Sequence, residues 1–276
     1  MFPCAAIAAD HLSKTSSTDT DTTLLDPASA RLDGKVAVVT GANGASGAPV
    51  IRQLAALGAD LVHVHRGGDV DAIGALQDEL AADGRTAAAV IADSSTSAGA
   101  AQALSAAIDR FGGVDVVVHL PGASAGKPLA ELSDEDWRRG VTANLDSAFY
   151  VLREAVRRIN DDGRIILLST SLTGVTTPGF ANYAPMKAAV EQLVRTAAKE
   201  VGARRVTVNA VAPGPIDSPF VNDVTPDAAL ERLRAFSPQQ RLGRWQEIAP
   251  VIAFLATEQA RWITAQTIRV NGGMTA

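Results

Sequence analysis

Short apolar runs rich in β-branched residues alternate with longer, alanine-rich segments along the chain from Lys35 onward. The runs read KVAVVT, DLVHVH, TAAAVIA, VDVVVHL, RIILLS, RVTVNAVA and TIRV. Near-continuous apolar strands are expected when helices cover both faces of a parallel sheet. The pattern therefore predicts an α/β fold in which a parallel sheet is doubly wound, with helices on both faces.

The segments between these runs place apolar residues at helical spacing, which predicts one helix in each segment. The predicted helices cover residues 48–57, 71–82, 96–111, 134–159, 184–201 and 246–256. No linker rich in Pro or Gly divides this region, so we expect a single domain over residues 31–276. Residues 13–30 are dominated by Ser, Thr and Asp, and we expect residues 1–30 to be a flexible or loosely docked extension.

Composition narrows the classes of partner. The chain has 276 residues and a net charge of −5, which gives no general attraction to nucleic acid or to an anionic membrane. Cys4 is the only cysteine, and the four histidines show no metal-ligand spacing, so we expect no disulfide and no metal. The start of the chain lacks a basic region, which argues against a signal peptide. These features favour a cytoplasmic protein with a small-molecule ligand.

A glycine-rich turn follows the first predicted strand, in the sequence VAVVTGANGASGAPV. Glycines let a backbone turn tightly and approach a pyrophosphate, while the next helix offers free N–H groups to the phosphates. The strand before the turn and the helix after it favour a dinucleotide site of the Rossmann type over a βα turn without a ligand. The residues expected to contact the cofactor here are Thr40, Gly41, Asn43, Gly44, Ala45, Ser46 and Gly47.

A tyrosine and a lysine stand four positions apart in YAPMK, at the start of a predicted helix. Positions i and i+4 share a helix face, so Tyr183 and Lys187 can approach one ligand. Pro185 is tolerated in a first helical turn. A nearby ammonium is expected to lower the pKa of a phenol, which improves acid–base catalysis. The alternative for an isolated match is a partly buried Tyr beside an exposed Lys.

Several motifs resemble those of the short-chain dehydrogenase/reductase family, in order along residues 32–276. TGANGASG is similar to the family's TGxxxGxG turn, with Ala45 at the middle glycine. VNAVAPGPIDS resembles the strand and PG turn near the nicotinamide, and WITAQTIRVNGG resembles the last strand and tail. The family's NNAG is replaced by HLPG, in which only Gly122 is retained; His119 either keeps a polar contact or has a structural role at the strand end.

The resemblance implies hydride transfer between a nicotinamide and a carbonyl or alcohol carbon, with a catalytic set of Asn144, Ser171, Tyr183 and Lys187. Ser171 lies twelve positions before Tyr183, one fewer than usual, so Ser169 and Thr170 remain alternatives. The expected reaction is ketone reduction; the alternatives are an alcohol-oxidising, NAD-dependent dehydrogenase and a non-catalytic dinucleotide sensor. The resemblance also implies a homotetramer, and further cofactor contacts at Asp93, Gly122, Tyr183, Lys187, Pro213, Gly214 and Ile216. Asp93 alternatively caps a turn with Ser94.

The end of the second predicted strand indicates which dinucleotide is preferred. An acidic residue there binds the ribose 2′-OH of NAD, whereas an Arg accommodates the 2′-phosphate of NADP. His65 occupies the expected position and Arg66 follows it, so we expect NADP(H) to be preferred and NAD(H) to be possible.

We expect residues 216–243 to recognise the substrate. This segment is expected to be either an apolar mobile lid or a helix packed on the core.

Overall fold

The structure is a computed structural model that describes residues 27–68, 70–175, 177–222 and 227–275. Within these residues, seven strands form one parallel sheet in the order β3-β2-β1-β4-β5-β6-β7. The strands are β1 (Val36–Thr40), β2 (Asp60–His65), β3 (Ala87–Ile91), β4 (Val116–His119), β5 (Arg164–Leu168), β6 (Thr207–Pro213) and β7 (Thr267–Val270). All seven predicted apolar runs are strands, and the predicted fold class is confirmed.

Helices cover both faces of this sheet. They are α1 (Gly47–Ala56), α2 (Val70–Ala82), α3 (Ser97–Phe111), α4 (Asp134–Val141), α5 (Ser147–Arg158), α6 (Ala184–Val201), α7 (Pro219–Asn222), α8 (Asp227–Phe236) and α9 (Trp245–Ala256). One core lies between the sheet and α1, α2 and α9, and the other lies between the sheet and α3, α5 and α6. Burial on both faces explains why the five central strands lack a polar alternation.

The structure differs from the predicted elements in one place. The helix expected over residues 134–159 is interrupted by a π-helical turn, Thr142–Asp146, between α4 and α5. The last four residues of the expected N-terminal extension, Pro27–Ala30, form a 3-10 turn, whereas residues 1–26 lie outside the described residues.

β1 lies at the topological switch point of the sheet. It pairs with β2 on one side and with β4 on the other, so β2 and β3 extend the sheet in one direction and β4 to β7 extend it in the other. A crevice opens at the carboxyl ends of the strands at such a switch point, where open α/β sheets bind ligands. In the paired strands Thr40 lies opposite His119, and His119 lies opposite Leu167. The glycine turn, the HLPG segment and the Ser-Thr-Ser segment that follows β5 are therefore neighbours at the carboxyl ends of the strands.

Candidate active site and cofactor cradle

The glycine turn between β1 and α1 is shaped by close backbone approaches. An added Cβ at Gly47 would collide with the carbonyl oxygen of Ala42. Gly41 has φ +78° and packs against the ring of Pro121, which a Cβ would approach to 2.9 Å. The turn leads into the N-terminus of α1, where free N–H groups attract phosphate. These features fit a bound pyrophosphate.

Ala45, which departs from the family's motif, is compatible with this turn. Its side chain is exposed and its backbone does not adopt the left-handed conformation that requires glycine. Thr40, by contrast, is fully buried beneath the turn, and its hydroxyl is hydrogen-bonded to His119. Thr40 therefore supports the turn from below instead of presenting its side chain to a ligand.

His119 links the glycine turn to α5 through a buried chain of hydrogen bonds. Its Nδ1 lies 2.8 Å from the Thr40 hydroxyl, and its Nε2 lies 3.1 Å from the Ser147 hydroxyl. Ser147 donates to the carbonyl oxygen of Ala143, so we assign the proton to Nε2 and the acceptor role to Nδ1. Burial and the charge of Lys187 lower the pKa of His119 to about 3. His119 is thus a neutral structural link.

Tyr183 and Lys187 lie together beside the HLPG segment, as the spacing predicts. Tyr183 precedes the first residue of α6, Pro185 lies in the first turn, and both Tyr183 and Lys187 are buried. The Lys187 ammonium is 5.9 Å from the centre of the Tyr183 ring and donates to the carbonyl oxygens of Pro121 and Leu168, each at 2.8 Å. The arrangement excludes the alternative of an exposed lysine.

The electrostatics of this pair differ from the sequence-based expectation. Burial raises the pKa of Tyr183 to about 12, although a hydrogen bond with Thr170 acts in the opposite direction. Burial also lowers the pKa of Lys187 to about 7. The expectation that the ammonium lowers the phenol pKa is wrong for this state, because the loss of water on burial dominates and the hydrogen bond with Thr170 is the effect that opposes it. Tyr183 is therefore a neutral phenol at physiological pH.

The hydroxyl that accompanies Tyr183 belongs to Thr170 and not to Ser171. Ser171 donates to the carbonyl oxygen of Ala212 at 3.0 Å and accepts a hydrogen bond from the Asn271 amide at 3.0 Å, which leaves it directed away from the phenol. Thr170 is hydrogen-bonded to Tyr183 and lies thirteen positions before it. The short spacing noted for Ser171 was the signal that favoured Thr170.

Asn144 lies inside the π-helical turn and is fully buried. Its side-chain amide donates to the carbonyl oxygens of Ala123 and Gly140, and its Oδ1 accepts from the Ala123 N–H at 3.0 Å. Both amide hydrogens are therefore used within the protein. π-helical turns frequently accompany functional sites. Through Asn144, this one is hydrogen-bonded to the backbone of the segment that follows Gly122.

Asn182 is a second residue that is hydrogen-bonded to the backbone of this segment. It was not among the site residues predicted from the sequence. The residue is buried immediately before Tyr183, and its amide donates to the backbone oxygen of Asp136 at 3.0 Å. Its Oδ1 accepts from the N–H of Ala125 at 3.3 Å. Gly122 immediately precedes this segment, and an added Cβ there would be 3.3 Å from Oδ1 of Asn144 and 3.5 Å from Cε2 of Tyr183. The retained glycine keeps the surface above the phenol open.

The groups expected to hold the adenosine end lie at the ends of β2 and β3. Arg66 is exposed, whereas His65 is buried and its Nδ1 accepts from the Gly67 N–H. Asn43 extends from the glycine turn and donates to the Gly67 carbonyl oxygen at 3.0 Å. His65 therefore shapes the loop, while the Arg66 side chain is exposed at the strand end.

Asp93, at the end of β3, forms a turn with Ser95 and not with Ser94. Its Oδ1 accepts from the Ser95 N–H at 3.0 Å and from the Ser95 hydroxyl at 2.7 Å. Burial alone raises the pKa of Asp93, but the bonds from Ser95 and the charge of Arg66 lower it overall. The local turn accounts for one carboxylate oxygen.

The PG turn after β6 packs closely against the C-terminal tail. Pro213 is buried, and an added Cβ at Gly214 would lie 2.9 Å from the Cα of Asn271. Ile216 is buried and pairs with Gly243, so the two ends of the predicted lid are joined at their base. Within the lid, α7 and α8 are short helices, and residues 223–226 lie outside the described residues.

Across the described ranges, no group of three or more His, Cys, Asp or Glu residues is arranged to hold a metal ion. No helix among those residues combines the length and apolar character needed to span a membrane.

Comparison with known proteins identifies the family. A family model described as "Enoyl-(Acyl carrier protein) reductase" matches residues 42–275. A "Short-chain type dehydrogenase/reductase" of Picea abies is 36% identical over 251 residues, covering 88% of this chain and 93% of that protein. The "3-oxoacyl-[acyl-carrier-protein] reductase FabG" of Pseudomonas aeruginosa is 36% identical over 247 residues, covering 88% and 98% of the two chains.

A solved structure agrees with the sequence matches. The structure of a putative dehydrogenase from Burkholderia cenocepacia with bound NADP has a TM-score of 0.85 at 32% identity, covering 89% of this chain and 95% of that chain. The glycine turn, the Tyr183–Lys187 pair and these matches agree on one assignment. The chain belongs to the short-chain dehydrogenase/reductase family.

Proposed function

We propose that this enzyme reduces a ketone with NADPH as the hydride donor. The observation that carries the proposal is the pairing of the Thr170 and Tyr183 hydroxyls beside the buried Lys187, at the carboxyl ends of the strands, where the glycine turn lies. A bound nicotinamide would supply the hydride. The protein's own groups would orient the carbonyl, polarise its oxygen and deliver a proton.

Thr170 takes the role expected of Ser171 in this proposal. A ketone oxygen placed between the two hydroxyls would accept a hydrogen bond from each of them. Thr170 would stabilise the negative charge that develops on that oxygen, and Tyr183 would transfer its proton to it. A pKa of about 12 keeps Tyr183 protonated at neutral pH, so the populated form of the phenol is the one that can donate a proton to a carbonyl oxygen.

Lys187 is proposed to hold the nicotinamide ribose and to stabilise the phenolate left after proton transfer. Its ammonium is already fixed by the carbonyl oxygens of Pro121 and Leu168, so its orientation requires no rearrangement. Asn144 and Asn182 are proposed to hold the Gly122 segment over the phenol. Asn144 in this role positions the site and does not exchange a proton through its side chain.

The preference for NADPH is proposed from Arg66. The exposed guanidinium lies at the end of β2, where it can pair with a 2′-phosphate, and the strand end carries no carboxylate at His65 to repel one. The NADP in the Burkholderia cenocepacia structure supports the same choice. Asp93, Pro213, Gly214 and Ile216 are proposed to complete the cofactor contacts.

The substrate is proposed to carry an apolar group next to its carbonyl. The Phe180 ring lies 6.3 Å from the Tyr183 ring, and residues of α8 such as Leu230 and Leu233 are only partly buried. We also propose a cytoplasmic homotetramer, because Phe149 and Trp262 are 41% and 95% exposed and suit contacts with other copies.

A paired substitution tests the assignment of Thr170. We expect Thr170→Val to lower kcat by about 10²- to 10³-fold, the usual effect of removing one hydrogen-bond donor to a developing oxyanion. Ser171→Ala, at the neighbouring hydroxyl, is the matched control and should retain most of the turnover. Both variants are assayed with NADPH and with 3-oxoacyl thioesters and aryl ketones, and NADPH affinity is measured by fluorescence. The reverse ranking of the two variants would reject Thr170.

A further inference from the structure

Glu191 on α6 holds both ends of the turn that contains Thr170. Its Oε1 accepts a hydrogen bond from the Ser169 hydroxyl at 2.6 Å and from the Thr173 hydroxyl at 2.7 Å. Ser169 immediately precedes Thr170, and Thr173 follows it three residues later. A single carboxylate oxygen thus joins the two sides of this turn to the helix that carries Lys187.

Burying the carboxyl group of Glu191 costs solvation free energy, which the protein has to offset. Glu191 is 8% exposed, and the two side chains that donate to its carboxylate are neutral hydroxyls. Burying a carboxyl group without a cation is unfavourable unless hydrogen bonds compensate for the lost water. The two hydroxyl donors provide that compensation, and both come from the turn beside the phenol.

The turn also has hydrogen bonds of its own. The Thr173 hydroxyl lies 2.9 Å from the Thr170 carbonyl oxygen, so its single proton is shared between that oxygen and Glu191, and the Gly174 N–H donates to the Ser171 carbonyl oxygen at 3.0 Å. The two bonds that involve Thr170 and the backbone N–H groups of the turn are longer. The Thr170 hydroxyl accepts from the Leu172 N–H at 3.3 Å, and the Thr173 N–H donates to the Thr170 carbonyl oxygen at 3.3 Å. These bonds are longer than the two that end on Glu191. Hydrogen bonds to an ionised acceptor are shorter and stronger than those between neutral groups.

We infer that Glu191 is a positioning residue that fixes the Thr170 hydroxyl against the Tyr183 hydroxyl, an inference that rests on the proposed role of Thr170. Glu191 does not reach the substrate in this account. It acts by keeping Ser169 and Thr173 in place, so that the backbone between them presents Thr170 to the carbonyl oxygen. Small displacements of a catalytic group slow a reaction strongly, by roughly a hundredfold for an ångström.

The positioning role predicts different turnover for two substitutions of Glu191. Glu191→Leu removes the acceptor, and we expect kcat to fall about 10- to 100-fold while the Kd for NADPH stays within about twofold. Glu191→Gln keeps a carbonyl oxygen that accepts both hydroxyls, so it should recover most of the turnover that the Leu variant loses. Glu200→Leu, at an exposed position of the same helix, controls for the added leucine.

A double-mutant cycle with Thr170→Val makes the test specific. Each variant is assayed at saturating NADPH with the ketone that the wild-type enzyme reduces fastest among 3-oxoacyl thioesters and aryl ketones. If Glu191 acts through Thr170, Glu191→Leu should slow the wild-type enzyme but have little further effect in the Thr170→Val background. The melting temperature of every variant is recorded.

The outcomes distinguish this inference from the proposed function. Multiplicative losses in the cycle, or a Glu191→Leu variant that changes only the melting temperature, would overturn the positioning role while leaving Thr170 in place. A Thr170→Val enzyme with normal turnover would reject the Thr170 assignment, and with it the inference drawn from it.

Discussion

Replacing Lys187 with Met tests whether burial governs the charge of this lysine. The side chain is 1% exposed, and burial lowers its pKa from 10.5 to about 7. Methionine keeps a long unbranched chain but carries no charge. The variant also removes the donor for the carbonyl oxygens of Pro121 and Leu168, which costs roughly 1–3 kcal/mol for each acceptor left without a partner.

The pH dependence of the unfolding free energy distinguishes the effect of the Lys187 charge from the effect of the lost hydrogen bonds. Between pH 7 and pH 10.5 the unfolded chain binds more protons at Lys187 than the folded chain does, so this lysine makes stability rise with pH. Its penalty is fully present below pH 7 and disappears above pH 10.5. At about 1.36 kcal/mol per pH unit, the full penalty is roughly 5 kcal/mol.

The assay is urea unfolding of both proteins from pH 7.0 to pH 9.5, at one protein concentration because association changes apparent stability. The difference in unfolding free energy between wild type and Lys187→Met should change by roughly 3 kcal/mol over this range, in favour of the wild type at high pH. Lys199→Met, at an exposed position of α6, should leave the two curves parallel. Parallel curves for Lys187→Met would refute the reasoning, because they would mean that the buried lysine stays charged.

Three further results are expected. Arg66→Ala should reduce the preference for NADPH over NADH, measured as the ratio of kcat/KM, because a charge-assisted bond of roughly 1.5–3 kcal/mol corresponds to about a ten- to hundredfold preference; equal wild-type values would contradict this. Light scattering at micromolar concentration should give the mass of a homotetramer, and a monomer would contradict the proposed assembly. Ligand binding should slow hydrogen exchange in residues 227–243 if they form a lid, and unchanged exchange would favour a helix packed on the core.

The sheet was predictable because its five central strands are buried on both faces. Each run of β-branched residues between polar segments is a strand, and the single glycine turn followed by a helix located the crevice. The helix over residues 134–159 was predicted without its interruption, because a π-helical turn adds one residue to a turn and barely disturbs the apolar face. Asn144, at the interruption, was identified through the family resemblance, with support from the low preference of Asn for the middle of a helix.

The choice between adjacent hydroxyls could not be made from the sequence. Ser169, Thr170 and Ser171 are consecutive, yet their hydroxyls bond to Glu191, Tyr183 and Ala212 in turn. These partners lie between 13 and 41 positions away along the chain, so only the packed structure determines which hydroxyl meets the phenol.

The pKa of Tyr183 was missed for a similar reason. The spacing correctly placed Lys187 next to it, but the degree of burial decides whether the lysine's charge or the loss of water controls the phenol. Burial is a property of the surrounding segments, which pack around Tyr183 only in the folded chain and leave it 8% exposed.

The central claim is that Tyr183 donates the proton during reduction, and Tyr183→Phe tests it most directly. The measurement is single-turnover oxidation of NADPH with a reducible ketone, where chemistry and not product release limits the rate. Removing a general acid should slow this step by about 10²- to 10⁴-fold while NADPH binding, followed by fluorescence, stays nearly unchanged. A Tyr183→Phe enzyme that transfers hydride at close to the wild-type rate would contradict the account.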